Sequence, residues 1–286
     1  MKVNSLRILI IIASTFIFFT ANPALSYVPD DLDFVSMGAE AVSAAPSGRI
    51  YTVPSISYKM VYISPGTFMM GSPSGEPERD SDERQHKVTL TKGFYMGATE
   101  VTQRQWLEIM GSNPSYFKWD NRPVEKVSWN DCQEFIRKLN LQEGGNKYRL
   151  PTEAEWEYTC RAGTTIPFST GSCISTDHAN YNGNYPMPGC SKGRYRKETI
   201  DVASFSPNAW GLYDMHGNVW EWCQDWYGDY PSGHVTDPEG PSSGSFRVYR
   251  GGSWLNNVGY CRSANRLDFA TGVCYDNMGF RLARTP

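Results

Sequence analysis

The stretch Arg250–Leu282, RGGSWLNNVGYCRSANRLDFATGVCYDNMGFRL, decides how the chain is read. It opens on the paired glycines Gly251 and Gly252 ahead of Ser253 and Trp254, and closes on Gly279, Phe280 and Arg281. Paired glycines permit positive φ or a close approach of the backbone to a neighbour. Met278, Phe280 and Leu282 alternate as the apolar positions of a half-buried strand do. Between these borders no helical or strand period persists, which predicts surface loops carried on fixed ends. Function is expected there.

Working outward, five further motifs precede this stretch in order. They are MVYISPGTFMMGS at Met60–Ser72, TEVTQRQW at Thr99–Trp106 and PVEKVSWNDC at Pro123–Cys132. YRLPTEAEWEYTCRAGT at Tyr148–Thr164 and GLYDMHGNVWEWCQDWY at Gly211–Tyr227 complete the set. Together the motifs resemble the formylglycine-generating enzyme (sulfatase-modifying factor) family. The resemblance implies an α+β fold: an irregular, loop-rich, C-type-lectin-related single domain with short strands and about three helices. It does not by itself imply an activity.

Composition agrees with one such domain. The chain has 286 residues, 40% of them hydrophobic, and its 9 Trp, 17 Tyr and 26 Gly suit a loop-rich fold packed by aromatic plates. The motifs run unbroken over residues 59–286, and the Pro-, Ser- and Ala-rich stretch 27–58 reads as a linker or N-terminal arm. A net charge of −3 argues against nucleic acid or an anionic membrane as a partner. Lys2 and Arg7, the apolar run Ile8–Thr20 and the small-residue site Ala24-Leu25-Ser26 form a signal peptide over residues 1–26. An exported protein is expected, secreted, periplasmic or on the cell surface. It meets a membrane only if the apolar run stays uncleaved.

Local signals place the elements. Met60–Met70 alternates as a strand that opens the domain, Lys87–Leu90 and Phe94–Met96 read as short strands, and Glu76–His86 as a solvated loop. Thr102 with Gln105, Ser128 with Asp131 and Thr152 with Glu155 are capping boxes that each start a helix. Gly163 is the expected stop of the third. Glu153, Glu155 and Glu157 are assigned to cap and first-turn positions, with no chemistry. The long turn-rich run Thr164–Pro207 points to a functional or pinned excursion.

Seven cysteines accompany an oxidising compartment. Cys173 and Cys190 flank a turn-rich loop, either as a local bridge worth about 3 kcal/mol or as buried thiols. Cys132, Cys160 and Cys223 read as buried free thiols. None has zinc-site spacing, and His86, His178, His216 and His234 are scattered.

Metal expectations follow from the resemblance. Asp214-Met-His-Gly217-Asn-Val219-Trp-Glu221 offers the carboxylate and carbonyl mixture that Ca²⁺ takes. The family pattern puts one calcium on Asp214, Gly217, Val219 and Glu221. A second family site would use Asn180 and the Tyr181 carbonyl, but Arg194 stands at its aspartate, so its loss is expected. The family's enzymes oxidise a substrate cysteine with copper held by two cysteines in the pattern GGS-Y/W-x-C-x₄-C. Here Ser253, Trp254 and Cys261 match, while Asn256 replaces the first cysteine. An amide is a poor ligand for Cu(I). Cys261, Ser253 and copper therefore matter only on an oxidase reading. The family's disulfide positions have also changed, to Ile136 with Leu282 and to Cys160 with Arg266.

A second branch of the fold, the variable proteins of diversity-generating retroelements, resembles this chain at RGGSW, CRSANR and GFRL. In that branch the varied positions exclude Lys, Glu, Gln, Trp and Met. Leu255–Asn257, Tyr260 and Leu267–Asn277 avoid all five types here. The candidate ligand-contact residues are Trp254, Leu255, Asn256, Asn257, Tyr260, Leu267, Asp268, Phe269, Tyr275 and Asn277. Tyr, Phe, Asn and Asp together make an adaptable binding surface. The primary expectation is an exported, non-catalytic protein that binds a protein or surface ligand. The alternative is a divergent sulfatase-modifying oxidase that converts a substrate cysteine to formylglycine, and a structural or assembly domain is the third.

Overall fold

A computed structural model describes residues 49–286. The expected signal peptide and the arm up to residue 48 lie outside the described residues. The domain begins earlier than its motifs suggest. Strand β1 (Ile50–Val53) pairs antiparallel with β2 (Tyr58–Ile63), and a 3₁₀ turn, Pro54–Ile56, joins them. Val53, Ile56 and Tyr58 are buried in the main core, so the last part of the expected linker belongs to the domain. Burial of these apolar side chains is the reason.

The stretch Met60–Met70 is two strands rather than one. β2 ends at Ile63, and β3 (Gly66–Met70) turns away to pair with β4 (His86–Leu90) in another sheet. β5 (Phe94–Gly97) returns to β2. Three helices follow: α1 (Gln103–Met110), α2 (Trp129–Gln142) and, after β6 (Tyr148–Arg149), α3 (Glu153–Arg161). Thr102, Ser128 and Thr152 each accept the backbone N–H three residues on, and the third residue's side chain caps in return. All three capping boxes form. Ala162 (φ 46) takes the left-handed position that ends α3, one residue before Gly163.

Between α3 and β7 (Trp220–Trp226) no helix or strand is present among the described residues. This excursion is pinned. The Cys173–Cys190 bridge closes it, and Phe168, Ile174, Ala179, Tyr181 and Met187 build a small core with Val258 and Cys261. Cys132, Cys160, Cys223 and Cys261 are buried free thiols, and Cys274 is exposed.

The remaining strands are β8 (Val235–Thr236), β9 (Arg247–Arg250), β10 (Arg266–Phe269), β11 (Met278–Gly279) and β12 (Ala283–Arg284). They complete a five-stranded sheet in the order β1-β2-β5-β12-β6, a four-stranded sheet β10-β9-β7-β11 and a three-stranded sheet β3-β4-β8. The expected half-buried strand at Met278–Leu282 is instead the two-residue β11, followed by Phe280–Leu282 outside any strand before β12 opens at Ala283 in another sheet. Met278, Phe280, Arg281, Leu282 and Ala283 are all buried there. Phe280 meets Phe135 and Trp106 edge-on at 5.4 and 6.0 Å, which fixes the segment between β11 and β12 against α1 and α2.

Four buried arginines fasten the C-terminal stretch to the rest of the domain. Arg250 pairs with Glu157, Arg262 with Glu83 and Glu76, Arg266 with Glu153, and Arg281 with Glu221. Each of these side chains is at most 5% exposed. Two expectations are corrected as a result. Glu76–His86 is not a solvated loop throughout, because Glu76 and Glu83 are buried against Arg262. Glu153 and Glu157 do more than serve the first turn of a helix, since their charges neutralise buried guanidinium groups.

Candidate functional site

The glycine pair is required by contact. A Cβ on Gly251 (φ 97) would lie 3.0 Å from Trp156, and one on Gly252 (φ 72) would lie 2.5 Å from Cys261 Sγ. From this anchor Ser253–Asn257 runs to the short 3₁₀ helix Val258–Cys261. Trp220 Nε1 donates to Asn256 Oδ1 (2.9 Å), Ser253 Oγ donates to the same oxygen (2.5 Å), and Asn277 Nδ2 donates to Ser253 Oγ (3.2 Å). These bonds hold the two loop arms together.

Under them lies an open recess of about 230 Å³. Six residues singled out in the sequence line it: Asn256, Tyr260, Leu267, Phe269, Tyr275 and Asn277. Trp220, Tyr249 and Met278 complete it and were not anticipated. Trp220 meets Tyr249 edge-on at 4.7 Å and Tyr260 at 6.1 Å, while Phe269 meets Tyr275 at 5.7 Å. The signal that marks Tyr249 is strand alternation in Arg247–Arg250, which turns it toward the same face as Leu267, its partner on β10. Burial pushes the Tyr249 phenol up to about 12, and Asp268, Tyr260 and Tyr275 add to the shift. Tyr275 is 52% exposed at the rim.

The other four expected contacts lie elsewhere. Trp254 is buried against Phe117 (5.3 Å), with its Nε1 donating to the Asp276 carbonyl. Leu255 projects outward, 46% exposed. Asn257 lines a separate small recess. Asp268 follows Leu267 and precedes Phe269 on β10, so strand period directs it to the opposite face.

The residues do not fit copper in the family's manner. Cys261 is wholly buried beneath Gly252, and burial pushes its thiol pKa far up, with Cys160 adding to the effect. Asn256 spends its oxygen on Trp220 and Ser253. No thiolate pair faces solvent.

Of the expected calcium ligands, Glu221 is engaged by an arginine. Both oxygens of Glu221 lie 2.6 Å from Arg281 nitrogens, and Oε2 also accepts from Trp156 Nε1. The Glu221 carboxylate is thus already paired with a cation. Asp214 accepts from the Ala203 N–H through Oδ2, while its Oδ1 stays unpartnered. Gly217 presses against Asn180, where a Cβ would lie 2.4 Å from the carbonyl oxygen, and Val219 is buried. Among the described residues no three His, Cys, Asp or Glu side chains converge as a metal-binding group. His216 is buried, with Nδ1 donating to the Cys261 carbonyl and Nε2 accepting from the Ser169 N–H, and burial lowers its pKa to about 4.

Comparison with known proteins agrees with this architecture. The model of the sulfatase-modifying factor enzyme 1-like domain matches residues 50–286. The chain is 29% identical to the formylglycine-generating enzyme of Bos taurus, over 87% of this chain and 79% of that protein. Among solved structures, Treponema denticola variable protein 1 superposes with a TM-score of 0.72 at 31% identity, covering 84% of this chain and all of that one. PvdO from Pseudomonas aeruginosa does so with a TM-score of 0.71 at 31% identity, covering 84% and 98%. On the extent of the family match and these shared motifs, the chain belongs to the sulfatase-modifying factor enzyme 1-like domain family.

Proposed function

We propose that this chain is an exported, non-catalytic binding protein whose C-terminal loops hold a protein or surface ligand in the aromatic recess. The observation that carries this reading is convergence. Residues from Asn256 to Met278, scattered along an irregular segment, meet in one pocket with Tyr275 exposed at its rim. Large rigid aromatics beside asparagines give contact area at low entropic cost together with adaptable hydrogen bonds. The likeness to a variable protein from Treponema denticola supports it. The oxidase alternative needs a reactive thiolate, and Cys261 is buried under a glycine with its pKa raised.

The test uses the mature protein and its Tyr260→Ala/Phe269→Ala/Tyr275→Ala variant, screened against panels of extracellular proteins and glycans. Capture of a ligand by the parent, lost in a variant of unchanged melting temperature, supports the proposal. Equal capture by both moves binding away from the recess. In parallel, a Cys-x-Pro-x-Arg peptide is incubated with the protein, copper, oxygen and a reductant. Formylglycine above a Cys261→Ser control makes the oxidase the function. N-terminal sequencing of the exported form tests cleavage after Ser26, and a retained Met1 would refute it.

A further inference from the structure

The acidic segment Glu76–His86 is folded back onto the C-terminal stretch, and Arg262 holds it there. Arg262 Nη1 donates to Glu76 and Glu83 (both 2.7 Å), and Nη2 donates to Glu83 and to the Glu78 carbonyl (both 2.5 Å). This clamp brings Glu78 and Asp80 over the 3₁₀ helix that follows Asn257. A recess of about 90 Å³ remains between them, lined by Glu78, Asp80, Asn257, Gly259, Tyr260 and Asn265. Gly259 is needed there, because a Cβ would lie 3.0 Å from Glu78 Cβ and 3.1 Å from Asn257 Oδ1.

Two features point to a cation. The lining holds two carboxylates and two side-chain amides, and no basic residue. Asn265 is 1% exposed, and its Oδ1 has no hydrogen-bond partner, although its Nδ2 donates to Asp80 Oδ2 (3.2 Å). A buried carbonyl oxygen without a donor is an acceptor waiting for one. The volume is the share of about three water molecules, which suits an ion with part of its hydration shell and no organic ligand. We propose that Glu78, Asp80, Asn257 and Asn265 form a Ca²⁺ site at the seam between the acidic segment and the C-terminal loops.

The charge balance agrees. Arg262 is committed to Glu76 and Glu83, and Arg79 Nε donates to the Ser72 carbonyl. An all-oxygen set that mixes carboxylates with neutral carbonyls suits Ca²⁺, whereas Mg²⁺ demands a near-ideal octahedron and soft metals demand sulfur or imidazole. Two carboxylates place the affinity near that of extracellular calcium modules, Kd of about 0.1–1 mM. The site is separate from Asp214 and Glu221. It shares Tyr260 with the aromatic recess, so its occupancy should steady that wall.

The experiment is calorimetric titration of the full, EDTA-treated chain with CaCl₂ and, separately, MgCl₂. One calcium should bind, Asp80→Asn and Glu78→Gln should each weaken it about tenfold or more, and Asn257→Asp should tighten it by adding a carboxylate. Asp214→Asn should leave it unchanged. Absence of saturable binding overturns the proposal. So does binding that Asp80→Asn and Glu78→Gln leave intact, or binding that Asp214→Asn alone abolishes. The gain at Asn257→Asp keeps the test decisive even if a loss-of-charge variant folds poorly.

Discussion

Arg281 lays its guanidinium along the carboxylate of Glu221, with Nε to Oε2 and Nη2 to Oε1 both at 2.6 Å, and neither side chain is more than 1% exposed. The remaining donors of Arg281 reach the carbonyls of Gly97 (3.1 Å) and Tyr213 (3.0 Å), and Trp156 Nε1 completes Glu221. This pair thereby joins the segment between β11 and β12, the third helix and the Gly211–Tyr227 motif. Such a pair contributes chiefly to uniqueness, because removing one partner strands the other charge in the core.

The first expected outcome follows directly. Arg281→Met should destabilise the domain by about 3–5 kcal/mol, and Glu221→Gln should also destabilise it. The double variant should lose less than the sum, since neither charge is then orphaned. Urea denaturation measures all three. A loss below about 1 kcal/mol for Arg281→Met would show the pair to be dispensable.

Thiol reactivity should separate the cysteines. Cys274 is exposed, whereas burial pushes Cys160 up to about 12 and raises Cys132, Cys223 and Cys261 as well. Iodoacetamide at pH 8 should modify one thiol in the native protein, at Cys274, with the other four labelled only after unfolding. Peptide mass spectrometry reads the positions. Rapid native labelling of Cys261 would contradict its place beneath Gly252.

The aromatic recess should divide into rim and floor. Tyr275→Ala at the 52% exposed rim should change stability by less than about 0.5 kcal/mol, while Trp220→Ala, 3% exposed, should cost about 3–5 kcal/mol. Denaturation curves of the two variants check this. Similar losses for both would mean that the rim is structural and not free to serve a ligand.

Glu125 gives the domain's stability a pH dependence. It is buried, accepts the Phe117 N–H (2.8 Å) through Oε1 and leaves Oε2 unpartnered. Burial raises its pKa to about 7, Asp276 adding to this and the Phe117 and Tyr116 N–H groups opposing it. The folded state therefore holds a proton that the unfolded state has released. The stability tied to that proton is fully present below the ordinary carboxyl pKa, about 4.3, and is lost as pH rises through about 7. Melting temperatures of the parent and Glu125→Gln from pH 5 to 8 should converge at the acid end and part at neutral pH. Parallel curves would remove Glu125 as the cause.

Local chemistry was legible in the sequence by itself. A capping box acts across three residues, so Thr102, Ser128 and Thr152 announced their helices without help from the fold. The glycines at 251 and 252, the Cys173–Cys190 candidate bridge and the family motifs were readable for the same reason: their meaning lies in adjacent or closely spaced residues. Most of the recess was visible too, since Asn256, Tyr260, Leu267, Phe269, Tyr275 and Asn277 belong to one stretch of the chain. Partnership at a distance was not. Arg262 finds Glu76 at a separation of 186 residues and Arg281 finds Glu221 at 60, so no spacing rule marks either pair. Only the tertiary structure turned a charged segment that reads as solvated into a buried clamp and set Glu221 against Arg281. It also brought Trp220 and Tyr249 from two neighbouring strands to the floor of the recess. Burial decides which charges must be paired, and burial is a property of the packed chain rather than of any stretch within it.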